Sequence, residues 1–107
     1  MKSRKNYREY ESVTQSGVGS SEWIDLDHYP TNGRLLLIVE VSGTVNYTVE
    51  IAGTHLEGVV KTIEHCDLRN QTSSLASAWI YPAQGVRVTN NSGDGSTLLT
   101  VIEAGYQ

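Results

Sequence analysis

The segment Gly85-Val86-Arg87-Val88-Thr89-Asn90-Asn91-Ser92-Gly93-Asp94-Gly95-Ser96-Thr97-Leu98-Leu99-Thr100-Val101-Ile102-Glu103-Ala104 decides the fold class. Its first arm sets Val86 and Val88 on one face and Thr89 on the other. Its second arm sets Thr97, Leu99 and Val101 against Leu98, Thr100 and Ile102. A period of two puts alternate side chains on opposite faces of a strand. Between the arms, Asn90 to Ser96 supplies residues that tolerate positive φ or hydrogen-bond their own backbone. The reading is strand, tight turn, strand: a β-hairpin. It contains no nucleophile, general base or metal cluster, which turns the question from catalysis to assembly.

Working outward, Leu35 to Ser42 and Val45 to Ala52 flank Ser42-Gly43-Thr44 and predict a second hairpin. Leu35-Leu36-Leu37-Ile38-Val39 is an unbroken apolar run. Such a run marks a central strand covered on both sides, and Glu40 marks where one face meets solvent. Val45, Tyr47, Val49 and Ile51 then alternate with Asn46, Thr48, Glu50 and Ala52. Glu22 to Leu26 sends Ile24 and Leu26 toward the core. Arg8 to Gln15 reads as an edge strand, and Ser77 to Tyr81 as a short strand ended by Pro82. Ser16 to Ser21 and Tyr29-Pro30-Thr31-Asn32-Gly33 are turn signals, and Asp67 to Ser77 is a polar loop. Leu56, Val59, Val60 and Ile63 have the spacing of a short helix, which Gly58 and the β-branched residues oppose. Seven or eight short strands without a βαβ rhythm predict an all-β chain. The expected fold is a single antiparallel β-sandwich over residues 10–107, in plain or jelly-roll winding, behind an extended basic arm at residues 1–9.

The 107 residues suffice for one domain with a modest core. No apolar run approaches the ~18 residues of a membrane span, and the charged start does not read as a signal peptide. The single Cys66 cannot form an internal disulfide, so folding in a reducing cytosol is expected. Lys2, Arg4, Lys5 and Arg8 lie in the first eight positions. The remaining residues hold four basic side chains against all twelve acids, a balance of −8. An acidic body with a basic leader is not a nucleic-acid-binding profile.

No motif assembles a catalytic or metal site. His65-Cys66-Asp67 places three ligand types in a row, but adjacent strand residues point to opposite faces, and no CxxC or HxxxH spacing accompanies them. Cys66 lacks a motif that orients a base beside it. Asp25 and Asp27, near Glu22, share a strand face, yet a calcium cage wants six or more oxygens. No P-loop, GxGxxG or GxSxG is present. The sequence therefore assigns no catalytic residue, cofactor or metal. Of the aromatics, Trp23 and Trp79 are expected to pack at the core or its ends. Tyr7 and Tyr10, beside the arm, are the expected interface anchors.

The order of pieces resembles small structural proteins of tailed bacteriophages. The resemblance is carried by Trp23-Ile24-Asp25-Leu26-Asp27, by Val41-Ser42-Gly43-Thr44-Val45-Asn46-Tyr47-Thr48-Val49-Glu50, by Pro82-Ala83-Gln84-Gly85-Val86-Arg87-Val88-Thr89 and by Gly95-Ser96-Thr97-Leu98-Leu99-Thr100-Val101. These segments span most of residues 22–105 and are strand patterns rather than catalytic signatures; residues 53–75 match nothing in the family. Within that class the chain is most like a capsid decoration, or cement, protein. The resemblance implies a non-enzymatic virion component made in the bacterial cytoplasm. Its partners would be the major capsid protein on the outside of the shell and further copies of itself as a dimer or trimer, with neither nucleic acid nor membrane. The expected contact residues are Lys2, Arg4, Lys5, Tyr7, Arg8 and Tyr10. A tail, fibre-adaptor or head–tail joining subunit is the alternative, and a carbohydrate-binding module using Trp23, Trp79 and Tyr81 is a rival from another class.

Overall fold

The computed structural model describes residues 7–26, 34–53, 56, 60–81 and 83–104. These residues form nine strands: β1 (Tyr7–Ser16), β2 (Gly19–Ser20), β3 (Ile24–Asp25), β4 (Arg34–Ser42), β5 (Val45–Ala52), β6 (Thr62–Glu64), β7 (Leu75–Trp79), β8 (Gly85–Gly93) and β9 (Ser96–Ala104). No helix occurs among the described residues; of the span with helical spacing, residues 57–59 lie outside them, and Ile63 belongs to β6. The first sheet has the order β1-β9-β4-β7; the second runs β2-β8-β5-β6, with β3 also on β8. All pairings are antiparallel. The chain is an all-β sandwich, as the alternation predicts. β1 begins at Tyr7, so Tyr7, Arg8 and Glu9 belong to a paired strand; the rest of the 1–9 arm lies outside the described residues.

Neither predicted hairpin forms. β8 and β9 do not pair with each other but enter different sheets, and so do β4 and β5. Each short link is a corner between sheets. The register carries across it: Ser42 faces Ser96 in the first sheet, and Val45 faces Gly93 in the second. The link between β1 and β2 is a third corner, joined to the others by the Gly17 N–H donating to the Gly95 carbonyl at 3.0 Å. The corners pack backbone to backbone, which explains the glycines. A Cβ on Gly93 would strike the Thr44 carbonyl oxygen and lie 2.9 Å from the Val45 Cα. One on Gly95 would strike the Ser42 carbonyl oxygen and lie 2.8 Å from the Thr44 nitrogen. Asn90, almost wholly buried, ties the β1–β2 corner to β9. Its Nδ2 donates to the carbonyls of Gln15 (3.0 Å) and Gly17 (2.9 Å), and its Oδ1 accepts from the Thr97 hydroxyl at 2.8 Å.

The core fills with the inward-facing members of the alternating runs: Leu35, Leu37, Val39, Tyr47, Val49, Ile51, Val86, Val88, Leu99 and Val101, with Ile24, Leu26 and Leu68 closing it. Burying each such side chain contributes ~1.5–3 kcal/mol. Tyr47 keeps its phenol satisfied by donating to the Ser73 carbonyl at 2.8 Å.

Candidate docking surfaces

The two outer faces of the sandwich differ in chemistry. The outer face of the second sheet is a polar network. Glu50 Oε1 accepts from Arg87 Nε at 2.6 Å and from the Thr89 hydroxyl at 3.2 Å, and Thr89 in turn meets Ser20 at 2.7 Å. Asn91 Nδ2 donates to Asn46 Oδ1 (2.8 Å), Thr48 Oγ1 (3.0 Å) and Asn70 Oδ1 (3.3 Å). The Arg87 guanidinium carbon also lies 4.4 Å from the centroid of Trp23. This face has its own partners and meets water as it stands.

The outer face of the first sheet is mostly apolar over β9, β4 and β7 and carries exposed Ser12 and Thr14 along β1. Register sets Ala78, Leu36 and Ile102 in one row, and Ala76, Ile38 and Thr100 in the next. Ala76 and Ala78 are exposed, Leu36 is 41% exposed, and Ile38, Leu98, Thr100 and Ile102 are half-buried. The described charge on this face is Glu40, at the corner end. There, Thr14, Glu40, Ser42, Ser96 and Leu98 help to line an open cleft of about 220 Å³. The run Leu35–Val39 predicts cover on both sides; among the described residues, it is the side of Leu35, Leu37 and Val39 that is covered.

His65-Cys66-Asp67 has a structural task. His65 is 2% exposed and stands just beyond β6, at the edge of the second sheet. Its Nδ1 accepts from the Asp67 N–H at 3.1 Å, which leaves Nε2–H to donate to the Ala78 carbonyl of β7 at 2.9 Å. Asp67 Oδ2 accepts from Ser77 on β7 at 2.9 Å. The turn therefore ties the edge of one sheet to the edge of the other. The three ligand atoms lie within 4.8 Å of one another, but both ring nitrogens of His65 are engaged with backbone.

The aromatics do not form one platform. Trp79 packs against the core, with its ring 5.2 Å from His65 and 5.4 Å from Tyr81 in an edge-on contact. Its Nε1 is buried without a hydrogen-bond partner. Tyr81 is 64% exposed. Trp23 sits under Arg87 on the second sheet. Of the expected contact residues, Tyr7, Arg8 and Tyr10 lie in β1, the edge strand of the first sheet, with Tyr7 opposite Ala104 and Tyr10 opposite Ile102. Lys2, Arg4 and Lys5 lie outside the described residues, as do Asp27, His28 and His55. The apolar outer face was missed by sequence reasoning as a surface, although the unbroken run Leu35–Val39 is its signal.

No protein-family profile matches the chain, and no curated protein matches it. Solved structures do. A chain from the disulfide-linked pili of Bacillus endospore appendages is similar at 12% identity and a TM-score of 0.53, over 98% of this chain and 93% of its own. A carbohydrate esterase from Cellvibrio japonicus is similar at 18% identity and a TM-score of 0.43, over 90% of this chain but only 27% of its own. A capsid chain of Helicobacter pylori bacteriophage KHP30 is similar at 14% identity and a TM-score of 0.33, over 92% of this chain and 89% of its own. At these identities the likeness is one of fold alone.

Proposed function

We propose that the protein is a non-enzymatic structural subunit of a bacteriophage virion, a decoration protein that binds the outside of the major capsid protein shell and stabilises it. The observation that carries this reading is the apolar, uncovered outer face of the first sheet. A chain that leaves such a face beside a fully satisfied polar one is built to be packed against something. The side chains with chemical potential support it: His65 and Asn90 are spent on joining sheets and corners, and the Glu50–Arg87 pair on bracing β5 against β8.

A shell presents many copies of one site, so a weak contact is multiplied by avidity. The basic leader, with Lys2, Arg4 and Lys5, suits an acidic patch on the shell. Deleting residues 1–6 and measuring occupancy on purified shells tests the leader, and unchanged occupancy removes its role. Copy number per particle tests the position: hundreds for a shell protein, a dozen or fewer for the tail or head–tail alternative. A second reading, carbohydrate binding, draws on exposed Tyr81 beside Trp79. Glycan binding that is lost in Tyr81→Ala with the fold retained favours it.

A further inference from the structure

We infer that the outer face of the first sheet is a self-association surface, on which a second copy packs face to face about a two-fold axis with the two β4 strands antiparallel. The inference rests on reading the chain as an assembly subunit, but not on the virion or the capsid.

Three observations converge on a second copy. The first is the sequence of β4. Leu35-Leu36-Leu37-Ile38-Val39 has the unbroken pattern of a strand buried on both faces, and the single chain buries only one of them. The second is charge. The chain carries a formal net charge of −4, so two copies repel unless they meet through a face poor in acids. This face is such a surface. Its charged positions lie toward the two ends of β4: Arg34 opens the strand and Glu40 stands six residues on. In a two-fold packing with antiparallel β4 strands the ends exchange, so the Arg34 position of one copy falls across from Glu40 of the other. The charge pattern is self-complementary, as an isologous interface requires. The third is area. Strands of 10, 9, 9 and 5 residues, rising about 3.3 Å per residue and about 4.8 Å apart, give a footprint near 520 Å². Two such footprints bury about 1,000 Å², the size at which specific interfaces begin.

The rows suit sheet-on-sheet packing. With the axis between them, Leu36 of one copy sits over Ile38 of the other, and Ala78 over Ala76. Stacked sheets lie ~10 Å apart with interdigitated side chains. The polar network on the other sheet offers no comparable face, because its amides, hydroxyls and ion pair already satisfy one another.

Sedimentation velocity of the purified full chain, from 1 to 200 µM, tests the inference. The expected result is a monomer–dimer equilibrium. Leu36→Glu should raise the dimer dissociation constant at least tenfold while keeping the wild-type urea midpoint, since Leu36 is outside the core. Ala76→Arg, at an exposed position on the same face, does the same test where Leu36→Glu folds poorly. Glu40→Arg should weaken the dimer several-fold, and adding Arg34→Glu should restore it. A wild type that stays monomeric at 200 µM, or forms a trimer, overturns the inference. So does a dimer indifferent to both face substitutions, or a swap that leaves Glu40→Arg unrescued. A monomer that still occupies shells sinks the dimer and keeps the capsid reading; a dimer that ignores shells does the reverse.

Discussion

Three of the corner glycines, Gly17, Gly93 and Gly95, separate backbone strain from steric crowding, and alanine at each gives a graded prediction. Gly17 has φ +73° with nothing within 4 Å of an added Cβ, so Gly17→Ala pays strain alone, about 1–2 kcal/mol. Gly95 has no positive φ, but its Cβ would meet backbone atoms of Ser42, Gly43 and Thr44. Gly95→Ala therefore pays crowding alone, ~1–3 kcal/mol, because backbone held in two ladders cannot step aside cheaply. Gly93 has φ +96° and also faces the backbone of Thr44 and Val45. Gly93→Ala pays both terms, roughly 2–5 kcal/mol, a large part of the ~5–15 kcal/mol that holds a domain together. Urea unfolding followed by tryptophan fluorescence measures the series. With a slope of ~1–3 kcal/mol/M, the midpoints should fall in the order wild type, Gly17→Ala, Gly95→Ala, Gly93→Ala, the last by about 1–2 M or by failure to fold. The reasoning is refuted if Gly95→Ala lies within about 0.3 M of wild type, or if Gly93→Ala is no worse than Gly17→Ala.

Asn90→Ala should cost ~2–4 kcal/mol by the same urea assay, because it strands two carbonyls and the Thr97 hydroxyl at the corner. His65→Ala should cost a similar ~2–4 kcal/mol and, in hydrogen exchange, speed the amides of β7 more than those of β1, since His65 holds only the β7 side. A double-mutant cycle on Glu50 and Arg87 should show coupling of ~1 kcal/mol that weakens little with salt, because both side chains are mostly buried. Burial holds the Tyr47 phenol above its ordinary range. Its folded pKa is thus higher than its unfolded one, so its contribution is full below pH ~10 and is lost as pH rises through the folded value. Tyr47→Phe should cost about 1 kcal/mol at pH 7 and should lose less stability than wild type between pH 9 and 11.

The alternation in Val45–Ala52 and Val86–Val101 is a local signal, and it named both the strands and their buried faces. The partner of each strand is not a local property. Gly43 and Gly93, with Asn and Ser around them, read as hairpin turns because the same φ-tolerant residues serve a sharp corner. What decides between the two is the close approach of the Gly93–Gly95 backbone to Ser42–Val45, residues about fifty positions away. His65 was legible as a chemical side chain but not as a tie between sheets, since the carbonyl it reaches belongs to Ala78 on another strand. The apolar run Leu35–Val39 did announce a strand covered twice; one chain supplies one of the two covers.

The placement of residues 85–104 has a consequence for how the molecule comes into being. β9 lies between β1 and β4, and β8 lies between β5 and the short strands β2 and β3. The segment made late on the ribosome is thus the middle of both sheets. β1, β4 and β5 have no pairing with one another to form while they wait; β4 can pair with β7 and β5 with β6, but neither sheet closes until residues 85–104 are present. Long loop closures of this kind place folding in the millisecond-to-second range. They also leave the Leu35–Val39 strand without β9, one of its two neighbours, until residues 96–104 emerge at ~5–20 residues per second. Whatever shields that strand in the nascent chain is as much a condition of a good yield as the stability of the finished fold.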